Sequence, residues 1–269
     1  MMGEIVNNFL IMHGFIGMSM LQALIFDVDG TLADTERDGH RVAFNMAFSE
    51  SGLDWEWSEA LYGELLSVTG GKERIRHYLD NYRTDVTLPG DEADYIANLH
   101  KTKTRFYTEL LEKGAIPLRT GVRRLLDEAR DAGLRLAIAT TTTPVNVEAL
   151  LTHTLGAESM EWFEVIAAGD IVPAKKPAPD IYDYTLEKMG LAAEDCLAFE
   201  DSLNGILSSS AAKLKTIITV NGYTKDDDFS KASLVLDNLG TADESFTVLS
   251  GDTHGASFVN VDLLKAMAS

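Results

Sequence analysis

The stretch Leu24-Ile25-Phe26-Asp27-Val28-Asp29-Gly30-Thr31-Leu32 reads as a buried strand that runs straight into two carboxylates and a glycine. Residues two apart on an extended backbone point to the same side, so Asp27 and Asp29 are expected to share one small space. At ~4 Å and an effective dielectric of about 20, two such charges repel by roughly 4 kcal/mol, which a cation or a shared proton relieves. A surface turn after an edge strand would use the same Asp and Gly. The apolar run in front argues instead for a central strand, and the stretch points to a metal-assisted enzyme.

Working outward, short apolar runs recur with helical segments between them. Leu21–Phe26, Leu134–Thr140, Val165–Ala168, Cys196–Phe199, Thr216–Val220 and Leu234–Leu236 read as strands. Val122, Leu125, Leu126 and Ala129 fall at helical spacing and Gly133 follows as a stop; Ile181, Tyr182, Thr185, Leu186 and Met189 repeat the pattern before Gly190. Alternation of this kind, with strands apolar on both faces, predicts an α/β fold: a doubly wound, mainly parallel Rossmann-like sheet in three α/β/α layers. Reactive groups then gather beyond the carboxyl ends of the strands. From about Thr35 to Ala115 helical patterns such as Val42, Ala43, Met46, Ala47 and Ile75, Tyr78, Leu79 stand without a convincing strand. The expected division is a catalytic core over 20–34 and 116–269, an inserted α-helical cap over 35–115, and an extension over 1–19. Gly240–Gly255 reads as loop, and Val261–Met267 as a short last helix.

The 269 residues suffice for a substantial core. A net charge of −19 argues against nucleic acid or an anionic membrane surface as partner, so a phosphate substrate needs a metal or a few placed cations. Cys196 is the single cysteine, which excludes an internal disulfide and fits a reducing compartment; its apolar neighbours make it a buried strand residue. The apolar patch within residues 1–20 is interrupted by His13 and too short to span a bilayer, and no Lys or Arg precedes Arg37. The expected setting is cytoplasmic, and the expected state a monomer.

Four strand ends carry polar groups whose types fit one reaction. The first supplies Asp27 and Asp29; the second, Thr140-Thr141-Thr142-Thr143; the loop after the third, Lys175-Lys176 before Pro177; the fourth, Glu200-Asp201-Ser202. Singly, the threonines could cap a helix, Lys176 could be a loop lysine, and the acidic pair could favour a helix dipole. Together they make a site for a phosphate and Mg²⁺.

This order of motifs, Asp27-Val28-Asp29-Gly30-Thr31, Thr140, Lys176 and Glu200-Asp201, resembles the haloacid dehalogenase superfamily, and the helical insertion is similar to that of its members with a small helical cap. The resemblance implies that Asp27 is a nucleophile forming an aspartyl-phosphate and that Asp29 is the general acid and then the base. It implies that Thr140 and Lys176 hold phosphoryl oxygens, helped by backbone N–H groups near Thr141 and Asp29. Asp27, the carbonyl of Asp29, and Asp201 would bind Mg²⁺, with Glu200 close by. Dehalogenation is disfavoured, since halide release needs neither Asp29 nor the acidic pair. A sugar-phosphate sensor has no need of a nucleophile.

Within the superfamily, Thr35-Glu36 with His40, Trp55-Glu56-Trp57 and Thr69-Gly70-Gly71-Lys72-Glu73-Arg74-Ile75 look like the CbbY-type sugar-phosphate phosphatases. That resemblance implies removal of the 1-phosphate of xylulose 1,5-bisphosphate, an inhibitory by-product of Rubisco, in the setting of the Calvin cycle. Apart from the resemblance, a bisphosphate presents a second anion that needs cations of its own. Gly70 and Gly71 allow close backbone approach, while Lys72 and Arg74 supply cations for a second phosphate; the alternative is a solvated first helical turn. Glu36 and His40 are candidates for sugar hydroxyls, with a plain helix-surface role for His40 as the alternative. A phosphosugar mutase resembling β-phosphoglucomutase is the competing activity, built from nearly the same residues.

Overall fold

Strand β1 (Ala23–Phe26) is buried along its whole length and has parallel neighbours on both sides in the computed structural model, which describes residues 21–269. The extension expected over 1–19 lies outside the described residues. After β1 the chain makes a π-helical turn over Glu36–His40, then α1 (Arg41–Glu50), α2 (Glu59–Leu65), α3 (Gly71–Tyr82) and α4 (Glu92–Glu112). Helix α5 (Val122–Asp131) leads into β2 (Arg135–Thr140), and alternation continues through α6 (Pro144–Leu155), β3 (Phe163–Ala168), α7 (Asp180–Met189) and β4 (Cys196–Glu200). The chain ends with α8 (Leu203–Ala211), β5 (Lys215–Thr219), β6 (Leu234–Leu236), β7 (Val248–Gly251) and α9 (Val261–Ala268).

The seven-stranded sheet has the order β3-β2-β1-β4-β5-β6-β7, parallel throughout except for β7. The chain winds outward from β1 through β2 and β3, then returns to the other side of β1 for β4 and beyond. That reversal opens a crevice at the carboxyl ends of β1 and β4, where open α/β sheets bind ligands. Side-chain alternation along β1 feeds two buried layers. Leu24, Phe26 and Val28 pack with Leu126, Leu136 and Leu150, whereas Ala23 and Ile25 pack with Ile181, Tyr182 and Ala198. Phe26 and Phe199 stack across the β1–β4 pair at 4.5 Å between ring centroids. Cys196 is buried at the start of β4.

The helical insertion carries its own aromatic core, in which Phe44, Phe48, Trp55, Trp57, Tyr62 and Tyr78 interlock. Trp55 and Trp57 belong to that core and not to the crevice. Truncating a buried Trp such as Trp57 to Ala costs about 3–5 kcal/mol. The insertion is anchored through α4, whose Tyr107 and Leu111 join the main core beside Leu32 and Ile116. One expectation is corrected. The Gly240–Gly255 stretch contains β7, an antiparallel edge strand paired to β6. All four β7 residues are exposed, so no burial pattern marks them in the sequence; backbone pairing alone defines the strand. Among the described residues no helix is long and apolar enough to cross a membrane.

Candidate active site

The motifs gather beyond the carboxyl ends of the strands, Lys176 from the loop between β3 and α7. Asp27 follows β1 directly and its backbone N–H still bonds the Phe199 carbonyl at 3.0 Å, so the strand geometry aims its carboxylate into the crevice. Lys176 reaches across from the loop before α7 and donates to Asp27 Oδ1 at 2.7 Å and to Glu200 Oε1 at 2.5 Å. Tyr182 on α7 donates to the same Glu200 oxygen at 2.5 Å. Glu200 Oε2 is fully buried and has no partner among the described residues. Carboxylate oxygens of Asp27, Glu200 and Asp201 lie within 4.8 Å of one another. Asn221 donates to Asp201 Oδ2 at 2.6 Å and holds that side chain in place. Gly30 makes the approach possible, because a Cβ there would come within 2.1 Å of Asp201 Oδ2, and its φ of +84° suits glycine.

Electrostatics follow from this crowding. Burial, with Glu200 and Asp29 nearby, pushes Asp27 up to about 7 despite Lys176. Burial and the charges of Asp27 and Glu200 raise Asp201 well above the usual carboxylate range. Burial alone would lower Lys176, but Asp27 and Glu200 outweigh it and hold the ammonium charged. With Lys176 and the charge of Arg119 toward Asp201 as counterweights, ionising all three buried carboxylates, one with an orphaned oxygen, leaves an excess of negative charge. Oxygen-only donors of this kind fit a hard divalent cation.

Asp29 has a different neighbourhood. Its Oδ1 accepts from Thr35 Oγ1 at 2.6 Å and meets His40 Nε2 at 2.8 Å. These partners and the charge on Lys103 overcome burial and hold Asp29 below the usual carboxylate range. Both contacts are made by Oδ1, and Asp29 still lines the crevice. His40 is placed by the π-helical turn, whose wide i→i+5 bond from Arg41 N–H to the Glu36 carbonyl reorients the chain just before α1. The ring stacks on Tyr107 at 4.2 Å and its Nδ1 meets Lys103 Nζ at 2.7 Å. The structure therefore places His40 against Asp29, a third position beside the sugar and helix-surface alternatives.

Two cavities of about 500 and 590 Å³ meet above these residues, sharing Asp29, Glu36, Arg74 and Thr141 in their walls. The inner one is lined by Asp27, Thr140, Lys176, Glu200 and Asp201. Gly70, Gly71, Lys72 and Lys175 line the outer one. Lys72 pairs with Asp170 at 2.8 Å, and Lys175 with Glu73 at 2.7 Å, so the insertion grips the core across the outer cavity. Asn204 at the start of α8 adds a bond to Thr69 Oγ1 at 3.0 Å. Arg74 differs from Lys72. It is buried and donates to Tyr62 Oη at 2.8 Å and to the Leu65 carbonyl at 3.2 Å, with Glu36 Oε2 3.8 Å away. Tyr62 in turn donates to Glu36 Oε2 at 2.5 Å.

Sequence reading passed over Lys103, His100, Tyr182 and Asn221. For Lys103 a signal existed. Ile96, Leu99, Lys103, Tyr107 and Leu111 form the buried stripe of α4, and a lysine at a core position of an amphipathic helix asks for a partner. Tyr182 and Asn221 carried no such mark, because their partners come from distant segments.

With this geometry in view, the comparisons with known proteins are specific. The haloacid dehalogenase-like hydrolase family profile matches residues 21–213. Protein CbbY of Rhodobacter capsulatus is 50% identical over 222 residues, covering 82% of this chain and 95% of that protein. The plasmid-borne CbbY of Cupriavidus necator is also 50% identical, over 220 residues, covering 82% of this chain and 86% of that one. The crystal structure of a mutant CbbY from Rhodobacter sphaeroides in complex with xylulose-(1,5)bisphosphate superimposes with a TM-score of 0.76 at 44% identity, covering 81% of this chain and 95% of that chain. The chain belongs to the haloacid dehalogenase-like hydrolase family.

Proposed function

We propose that this phosphatase removes the 1-phosphate of xylulose 1,5-bisphosphate, through an aspartyl-phosphate at Asp27 and with Mg²⁺ as cofactor. The observation that carries the reading is the pair of joined cavities. The inner one holds a carboxylate–lysine–carboxylate set suited to phosphoryl transfer, and the outer one is lined by cations. A ligand with two anions fits such a shape, and the 44% identical CbbY carries such a ligand in its complex. In this reading the core over 20–34 and 116–269 supplies the chemistry and the insertion over 35–115 closes above it.

Asp27, the carbonyl of Asp29, and Asp201 would hold the Mg²⁺, with Glu200 beside them. Bound there, the ion offsets the excess negative charge and lets an anionic phosphate approach the Asp27 carboxylate. Lys176 fixes Asp27 in place and, with Thr140, faces the phosphoryl oxygens. Asp27 attacks phosphorus as the bond to the sugar oxygen breaks, and Asp29 gives that oxygen a proton. Water then attacks phosphorus and gives a proton to Asp29 as the bond from Asp27 to phosphorus breaks, which releases inorganic phosphate and restores the Asp27 carboxylate. Thr35, His40 and Lys103 hold Asp29 ionised without ligand, the state needed for the second step. The negative charge of an arriving phosphate raises its proton affinity, as the first step requires.

Inorganic phosphate measured from xylulose 1,5-bisphosphate, with glucose 1-phosphate isomerisation followed in parallel, tests the reading. Expected is stoichiometric phosphate release that stops with a chelator and returns with Mg²⁺. Isomerisation without phosphate release would establish the mutase instead.

A further inference from the structure

We propose that the imidazole of His100 is a specificity-determining contact of this site, hydrogen-bonding the end of the substrate that carries the second phosphate; this rests on the bisphosphate reading above. His40, Lys72, Arg74, Lys103 and Lys175 line the outer cavity with it, and each already has a hydrogen bond or ion pair. The ring of His100 has neither among the described residues, and it stands half-buried in the cavity wall. A ring edge that opens on the cavity without a protein partner is available to bond a ligand there.

Its place on α4 gives the direction. His100 and Lys103 are three residues apart and share one face of the helix. Lys103 connects to Asp29 through His40, in contacts of 2.7 and 2.8 Å. His100 lies about one turn back toward the N-terminus of α4, a rise of about 4.5 Å. There its Nε2–Cδ2 edge meets the start of α3, where a Cβ on Gly71 would come within 2.5 Å of Nε2. Glycine at 71 therefore lets the ring and the α3 N-terminus share one wall, next to Lys72.

The electrostatic setting suits a neutral donor. Burial, then Lys103, Lys72, His40 and Lys175, hold the ring down to about 3, so it stays uncharged at neutral pH. A neutral imidazole keeps one N–H and one lone pair. Lys72 and Lys175 supply charge, being shared at present with Asp170 at 2.8 and 3.0 Å. A second phosphate can take both cations and the idle donor together. A monophosphate leaves all three as they are, and that difference is specificity.

The test is steady-state kinetics of His100→Leu and His100→Gln on xylulose 1,5-bisphosphate and on p-nitrophenyl phosphate, beside wild type, with folding checked by circular dichroism. For His100→Leu, kcat/KM is expected to fall at least about tenfold more on the bisphosphate than on the aryl ester, through KM rather than kcat. His100→Gln, which keeps a donor, is expected to recover part of the loss. Equal losses on both substrates, or an unaltered KM for the bisphosphate, overturn the role of His100 alone. Wild-type turnover of the aryl ester without any turnover of the bisphosphate overturns the bisphosphate reading and this proposal with it. Should His100→Leu fail to fold, the His100 ring resonances of the Asp27→Asn protein decide. They are expected to move more on addition of the bisphosphate than on addition of inorganic phosphate, and no movement overturns the contact.

Discussion

At the floor of the site Lys176, Asp27 and Glu200 are buried and bonded to one another; at the rim Lys72, Glu73, Asp170 and Lys175 pair in or near solvent. The two regions use the same chemistry for different ends. At the floor, removing one partner strands a charge in a low dielectric, so the arrangement is rigid and suited to holding reacting atoms. At the rim, water compensates a lost partner, so the pairs can exchange for a ligand's anion at little energetic cost. On the proposed function, the floor carries the reaction, and the rim, built jointly by the insertion and the loop before α7, carries the choice of substrate. Lys175 and Lys176, adjacent in sequence, fall on opposite sides of that line.

The hardest test of the contrast is Asp27→Asn. Phosphate release is expected to fall by about 10⁴-fold or more, because the proposed nucleophile is gone, while the far-ultraviolet circular dichroism stays native. Undiminished turnover would remove the covalent mechanism. Next comes the lysine pair. Lys176→Met is expected to destabilise the fold by about 3–5 kcal/mol, whereas Lys175→Met is expected to cost no more than about 1 kcal/mol. Denaturant midpoints giving equal losses would erase the distinction between floor and rim.

A third test uses pH and metal together. Burial raises Asp27 to about 7 from an ordinary value of 3.8. A carboxylate raised in this way burdens the native state increasingly as pH climbs from near 3.8 to about 7, after which the burden levels off. Mg²⁺, by stabilising the ionised cluster, is therefore expected to raise Tm by several degrees at pH 7.5 and by less at pH 5. Calorimetry showing the same increment at both values would separate the metal from this cluster.

The smallest effect belongs at the rim. Lys72→Ala is expected to weaken a sugar bisphosphate about fivefold more than a monophosphate, the worth of one exposed charge. Arg74→Ala is expected to behave differently, lowering stability and harming both substrate classes, since it strands Glu36 and Tyr62 inside the insertion. Parallel KM series on the two variants would show whether Lys72 and Arg74 differ as their burial predicts.

Lys72 and Arg74 stand two residues apart in the sequence, a spacing that turns them to different faces of α3, although as cations beside a glycine pair they read alike. Their separation came from α2, which brings Tyr62 and the Leu65 carbonyl to Arg74 and brings nothing comparable to Lys72. His40 shows the same limit. Its helical spacing was legible, but the widened turn over Glu36–His40 that sets its ring against Asp29 has no local signature. Lys103 was readable in principle from the apolar stripe of α4, and was hidden by the many charges around it. Strand β7 was not readable at all, since it buries nothing.

What the amino-acid order determined by itself is the sheet, its parallel sense and the four motif-bearing strand ends, because burial on both faces writes continuous apolar runs and polar groups interrupt them where the strands emerge. Only the tertiary structure decided which charges are partners. Lys176 meets Asp27 across 149 residues of chain, and Lys72 meets Asp170 across 98. Such pairings depend on winding order and on the fit of the insertion over the crevice, and a hydrogen bond a few ångströms long leaves no period in a sequence for the eye to find.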